Sequence, residues 1–499
     1  MPPKKTRQTA APSRTSRARA SNTPKTTAKS ISKGTISTAT ASKRKGPSHD
    51  AVQPPSKKAK ASPKKPKTAP SPPAPLNQPL SVFAVGNGEN GELGLGPNQT
   101  ETYRPLVNSL LSKLQVIQLS CGGMHTVALT ADGKIVTWGV NDNYALGRNT
   151  GWDGGLRDID ADSGDETGEL NPRESTPMAI PASAFPEGTR FVQVAAGDSC
   201  TFALTDDGHV YGWGCFRNTS GDNQFGYDAD GNFIERQKIP VLIQGLTNIT
   251  QIACGADHAL ALDATGKVWG WGSHEQNQLG KRLFGRHIQH LKPRLVEVCR
   301  GKARYIASGE YHAFAIDKRD NVWGWGLNSF GEAGYAKGAG GDSALLPHPV
   351  KIPGLCGRGV KVLDGGAHHS AAVTADGECL VWGRLDGGQL GIDFTPRQLQ
   401  NEDLVRHDEW DKPRICLQPT QVPNVCKAVH VACGTDHTIF INQEGKGYAT
   451  GINSSGQLGL GHGKDVDVAQ EIRGEDLKGE KLSWAGAGGQ FSIIAGPAH

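Results

Sequence analysis

From residue 81 onward the chain alternates short apolar runs with small and polar punctuation, and the alternation itself repeats. Two or three apolar residues, a small residue and Gly are followed by two variable residues, usually a His, and then an apolar run of strand length. A turn of Asp-Gly type and an apolar-Trp-Gly segment complete the unit. Copies stand at 116–139 (VIQLSCGGMHTVALTADGKIVTWG), 191–214, 249–272, 303–326, 360–383 and 428–451. Asp132-Gly133, Asp207-Gly208 and Asp376-Gly377 lie between alternating apolar runs, the strongest local hairpin signal. After most Trp-Gly segments comes a loop ending in Leu-Gly, such as NDNYALG (141–147) or NSSGQLG (453–459). Units of about sixty residues hold four short strands with loops, and no stretch carries a helical period.

Two partial copies decide the topology. VFAVGNGENGELGLG (82–96) has only the back half of the unit, and LSWAGAGGQFSIIAG (482–496) only the front half. Together they make a seventh, and a ring whose first and last segments share one blade leaves no free sheet edge. An open solenoid needs distinct polar caps. The pattern predicts an all-β chain: a single seven-bladed β-propeller over 81–499, closed by pairing of the N- and C-terminal segments, with an insertion at 149–176.

Charge divides the chain differently. Residues 1–80 hold 18 Lys/Arg and one acid (net +17), and 81–499 hold 36 and 48 (net −12), giving +5 over the 499 residues. The first 80 contain no Phe, Tyr or Trp. With so little apolar surface to offset ordering entropy, a disordered basic tail is expected. Lys43-Arg44-Lys45 and Lys57-Lys58-Ala59-Lys60, eleven residues apart, have the spacing of a bipartite nuclear-localisation signal read by a nuclear import receptor. The same charge suits sequence-blind, salt-dependent contact with DNA. No run of about 18 apolar residues predicts a membrane span, and MPPKKTRQTAAPSRTSRARA lacks the apolar core of a secretory signal. Ten Cys without a Cys-x-x-Cys pair fit a reducing, intracellular compartment.

Several motifs invite chemistry and are better read as structure. Gly86-x-Gly88-x-x-Gly91 fits a dinucleotide fingerprint only before a helix, and ELGLGPNQT follows instead. Cys121, Cys254 and Cys433 each precede a His by four residues, but they fall in different units, in a slot that Ala196 and Ser308 also fill. They read as packing, and the repeated His as a hydrogen bond within its own blade. Asp158, Asp160, Asp162 and Glu169 have calcium-loop spacing, yet Ser163 stands where Gly is required. No nucleophile–base–acid set is discernible, so neither covalent catalysis nor a metal or cofactor is expected.

Positions that break a repeat are free for function. The pairs between Gly and His read Gly123-Met124, Asp198-Ser199, Ala256-Asp257, Glu310-Tyr311, Ala367-His368, Thr435-Asp436 and Gly489-Gln490. Ring symmetry gathers Asp198, Asp257, Glu310, His368 and Asp436 on one face about the axis, an acidic rim suited to a basic protein patch. A second contrast is 281–304, where eight Lys/Arg face one acid, Glu297.

The small-Gly-x-x-His, apolar-Trp-Gly and Gln-Leu-Gly pattern resembles the regulator of chromosome condensation family over all seven units. With the basic arm, the resemblance points to the nuclear branch that exchanges guanine nucleotide on the small GTPase Ran at chromatin. It implies GTPase contacts at Glu89, Asp198, Asp257 and His368, with a further family contact falling on Phe491 in place of His. It also implies a wedge hairpin at 216–224 carrying Arg217, Asn218 and Asp222, and a nucleosome-anchoring loop with Arg282 and Arg286. A propeller scaffold binding chromatin or protein without exchange activity, and a propeller enzyme with a site in the channel, remain the other classes to separate from it.

Overall fold

The computed structural model describes residues 78–153, 170–228, 230–283, 289–341 and 344–499. The localisation clusters, Asp158, Asp160, Asp162, Glu169 and Arg286 lie outside them. Seven antiparallel sheets follow one another along the chain. Blade 1 holds Val116–Cys121, His125–Thr130, Ile135–Gly139 and Met178–Ala179; blade 2 holds Phe191–Ala196, Cys200–Thr205, Val210–Gly214 and Gln237–Leu242. Blade 3 spans Ile249–Cys254 to Arg294–Val296, blade 4 Ala303–Ser308 to Leu345–Lys351, and blade 6 Ala428–Cys433 to Val466–Glu471. Blade 5 begins at Val360–Gly365 and has a fifth strand, Val405–His407, paired with Pro413–Gln421.

Closure is as the half-repeats predict. In blade 7 the C-terminal strands Trp484–Ala487 and Phe491–Pro497 lie inside, and the N-terminal Leu80–Asn87 and Glu101–Val107 outside. The seam runs in continuous register from Leu80 opposite Pro497 to Gly86 opposite Phe491. The Gly of each Trp-Gly has a backbone reason. Gly139 has φ 101°, and a Cβ there would fall 2.5 Å from the Met124 carbonyl oxygen. Gly86, its counterpart at the seam, has φ 113° and would meet the Gln490 oxygen at the same distance.

The blades lock to one another, and here the structure corrects the sequence. The repeated His bonds the next blade, not its own. His125 Nε2 lies 2.7 Å from the Thr201 hydroxyl, which itself donates to the Ala145 carbonyl in the loop between them. The arrangement recurs as His312–Ser370–Glu332, His369–Thr438–Gln389 and His437–Ser492–Gln457. A hydroxyl that gives its proton to a carbonyl must accept from Nε2–H, so Nδ1 is a bare lone pair; the Nδ1 atoms of these His are buried without partners. The Trp of four Trp-Gly segments donates to the Leu-Gly-type loop of the preceding blade, as Trp382 Nε1 does to Glu332 O at 2.9 Å. Phe491, 1% exposed in the core of blade 7, occupies this His position and presents nothing outward. Its ring packs in that core.

Candidate functional site

The loops carrying the variable pairs are stitched round the axis by backbone hydrogen bonds. Asp198 N donates to Ala256 O (2.8 Å), Ala256 N to Glu310 O (3.0 Å) and Glu310 N to Gly366 O (3.1 Å). Ala367 N then donates to Thr435 O, Thr435 N to Gly488 O, and Gly489 N to Gly123 O. The non-repeating pairs therefore ring one mouth of the central channel, a cavity of about 380 Å³. The Asp-Gly turns lie at the other end of the same strands. Below the mouth, Gln193 and Gln251 each hold both backbone groups of a residue in the next blade, Ile252 and Ile306. Asp364 accepts from Cys433 N at 2.9 Å in a column otherwise made of Ser, Ala and Gly. Burial pushes its carboxyl up to about 7.

The rim acids feel their crowding. Burial, opposed by a bond from the Arg217 backbone and by its charge, holds Asp257 above the usual carboxylate range. Burial likewise raises Glu310, with the Asp436 and Asp257 charges adding to it and His368 opposing. Not all of this charge faces outward unpaired. Asp436 accepts from Arg384 Nη1 (3.4 Å) and Gln389 Nε2 (3.2 Å). His368 Nδ1 stands 3.5 Å from Glu332, and its ring lies against Phe330.

Blade 2 departs from the others where it meets blade 3. At the His position stands Cys200, and at the hydroxyl position Ala259, so both halves of the lock are replaced together. The loop it would hold is replaced too. Phe216–Arg217 pairs with Asn223–Gln224 in a small hairpin, rooted by Phe216 between Phe202 and Phe225. Its tip is closed by Asn218, whose Oδ1 accepts from Ser220 N and Asp222 N. The hairpin bends over the rim: Arg217 forms an ion pair with Asp198, its backbone N–H donates to Asp257 Oδ1 (2.6 Å), and Thr219 N donates to Glu275 (2.6 Å). Asp198, Asp257, Arg217, Asn218 and Asp222 thus form one unit. His368 is on the same ring, three blades away. Glu89 is exposed on the loop following the N-terminal strand, its N–H held by Asn87.

The basic segment is less uniform than its composition suggests. Arg304 is largely buried against Asp320 (2.9 Å), Lys292 stacks over Tyr227, and Arg282 is exposed.

Residues 81–494 match the RCC1-like domain. The chain belongs to that family. It is 38% identical over 433 residues to the guanine nucleotide exchange factor SRM1 of Saccharomyces cerevisiae, covering 84% of this chain and 88% of that one. Among solved structures, Prp20p from the same yeast, described with its binding properties to Gsp1p and histones, superposes with TM-score 0.76 at 36% identity, covering 85% and 92%. Yeast RCC1 (Prp20) solved with Kap60 bound to it matches with TM-score 0.77 at 34% identity, over 90% of this chain and 97% of that one. Sequence reasoning missed two features of the face that this RCC1-like chain displays: the Arg217–Asp198 pair, and Trp410, which projects from the added hairpin of blade 5.

Proposed function

We propose that this chain is a guanine-nucleotide exchange factor for the small GTPase Ran, acting at chromatin in the nucleus. The observation that carries the reading is the hairpin at 216–224, which replaces the ordinary loop at the one junction where both the His and the hydroxyl of the lock are replaced. The same hairpin leans over the acidic rim. Similarity to a relative named as an exchange factor supports it.

The work required is differential binding, without a bond made or broken. The rim acids Asp198 and Asp257, with His368 and Glu89, dock a basic surface of the GTPase. The polar tip Asn218–Asp222 then competes for groups that otherwise hold nucleotide phosphates. A factor that prefers the nucleotide-free form lowers nucleotide affinity by the same coupling free energy, reciprocally, and GTP in excess refills the site and releases the factor. The basic tail, with its clusters at 43–45 and 57–60, serves import and sequence-blind contact with DNA; Arg282 and Arg286 anchor to carboxylates on the nucleosome, where the Arg fork binds bidentately.

Release of labelled GDP from Ran tests the exchange reading. Catalytic amounts of the wild-type chain are expected to accelerate release, and Asp257→Ala to reduce the stimulation by about 10-fold or more, since it frees the hairpin root as well as removing a rim charge. A wild-type chain without effect leaves a scaffold; a stimulation that Asp257→Ala does not alter removes the rim from the mechanism.

A further inference from the structure

Blade 5 is the only sheet of the propeller described with five strands, and the addition ends in an unusual tip. Between Val405–His407 and Pro413–Gln421 the chain turns through Asp408-Glu409-Trp410-Asp411. The turn is rigidly made. Asp408 N donates to Lys412 O, and Asp408 Oδ1 accepts from both Trp410 N and Lys412 N at 2.9 Å. Those bonds from Lys412 and Trp410, with the nearby cations, keep the Asp408 carboxyl below its ordinary range. Trp410 is 71% exposed, while the Trp residues of the blades at 138, 213, 271, 325 and 382 are buried to 1% or less. A rigid turn that holds the largest apolar side chain in water has no use for folding.

Its position supplies the use. Arg384 N donates to His368 O, and Arg384 pairs in register with Ile415 of the added hairpin, so the tip rises from the same face as the rim. Phe330 links the two: the His368 ring lies 4.8 Å from it, and the Arg414 guanidinium, at the foot of the tip, lies 5.0 Å from the centre of the same ring. Behind it Ile415 and Leu417 pack on Ala339, which fixes the hairpin to blade 4. Blades 2 and 5 are three apart in a ring of seven. The 216–224 hairpin and the Trp410 hairpin therefore stand on nearly opposite sides of the mouth, and both carry acids at the tip (Asp222; Asp408, Glu409 and Asp411).

We infer that the blade-5 hairpin is a second arm of the same docking site, with Trp410 as the aromatic anchor that enters an apolar pocket bordered by basic residues on the GTPase. The inference deepens the exchange reading and rests on it. Trp is among the side chains that most often carry a large share of binding energy once desolvated in a partner's pocket, and a preformed turn costs little to immobilise.

The test uses the full chain and nucleotide-free Ran, with Trp410→Ala, Trp410→Phe and wild type compared for affinity, GDP release and thermal midpoint. Trp410→Ala is expected to bind about 30-fold more weakly, chiefly through faster dissociation, with an unchanged midpoint, and Trp410→Phe to recover much of the loss. The indole emission lost in Trp410→Ala is expected to become shielded from iodide when Ran is added to wild type. A wild type that stimulates exchange beside a Trp410→Ala variant of equal affinity overturns the second arm and leaves the exchange reading intact; so does a variant that loses only nucleosome affinity. A wild type that neither binds Ran nor accelerates release overturns both.

Discussion

Lowering the pH from 7 to 4.5 is expected to unfold the propeller cooperatively, at pH values where its acidic surface alone would tolerate the change. Five buried His link or line the blade junctions, and burial holds His125 and His437 at about 4 and His258 and His369 at about 3, with His312 also well below 6.5. In the unfolded chain each titrates near 6.5. Between about pH 6.5 and 4 the unfolded state therefore binds more protons than the native one, so stability falls as pH falls, by up to about 1.4 kcal/mol per pH unit for each His. Asp364 works the other way. Its carboxyl, raised to about 7, keeps its proton in the native state while the unfolded chain loses it, and Asp257 and Glu310 share that direction. Five fully buried imidazoles outweigh these, and a net loss on the order of 5 kcal/mol by pH 4.5 is a large part of a domain's stability. Urea midpoints at pH 7, 6 and 5 check it: a steady decline is expected, and a flat profile would mean that the His carry their protons in the folded ring. Protonation at Nδ1, which has no acceptor, is what breaks the lock, because the charge is left unpaired in the junction.

Replacing residues 218–222 by an Asn-Gly turn, so that two residues instead of five join Arg217 to Asn223, is expected to lower the stimulation of GDP release at least about 100-fold while leaving the thermal midpoint within about 1 °C. The tip residues 219–222 are exposed, and the aromatic root at Phe216 and the pairing of Arg217 with Asn223 are retained, so folding has little to lose. Affinity for nucleotide-free Ran should fall much less than the exchange rate, because Asp198, Asp257 and His368 stay in place and only the interaction that distinguishes the nucleotide-free state has gone. Equal losses in affinity and rate would make the hairpin a docking element like the rim; full stimulation would remove it from the mechanism.

The ring and its closure were legible because a repeat that is cut in half at each end has one economical completion, and the Leu80–Pro497 seam is that completion. The acidic mouth was legible for the same reason: symmetry places equivalent positions together without any knowledge of side-chain contacts. Symmetry does not say which blade a repeated side chain bonds, however. His125 and Thr201 are 76 residues apart, and both belong to the repeat, so spacing could not favour that partner over one in the same blade. Phe491 shows the converse, since a change of residue type at a repeated position put an aromatic ring into the core in place of a hydrogen-bonding imidazole. The Arg217–Asp198 pair and Trp410 stayed hidden because each involves a segment outside the repeat, where no second copy fixes the geometry. A close reading could have found one signal: Cys200 and Ala259 depart from the lock together, just before and just after the loop that leaves the pattern.

Amide hydrogen exchange of the full chain, alone and with nucleotide-free Ran, addresses the docking face most directly. Slower exchange is expected in the mouth loops 122–124, 197–199, 309–311 and 366–368 and in the hairpins 216–224 and 405–413, with the turns 131–134, 206–209 and 264–267 at the far end of the strands unchanged. Protection confined to those far turns, or spread over the outer strands with the mouth untouched, would contradict the account.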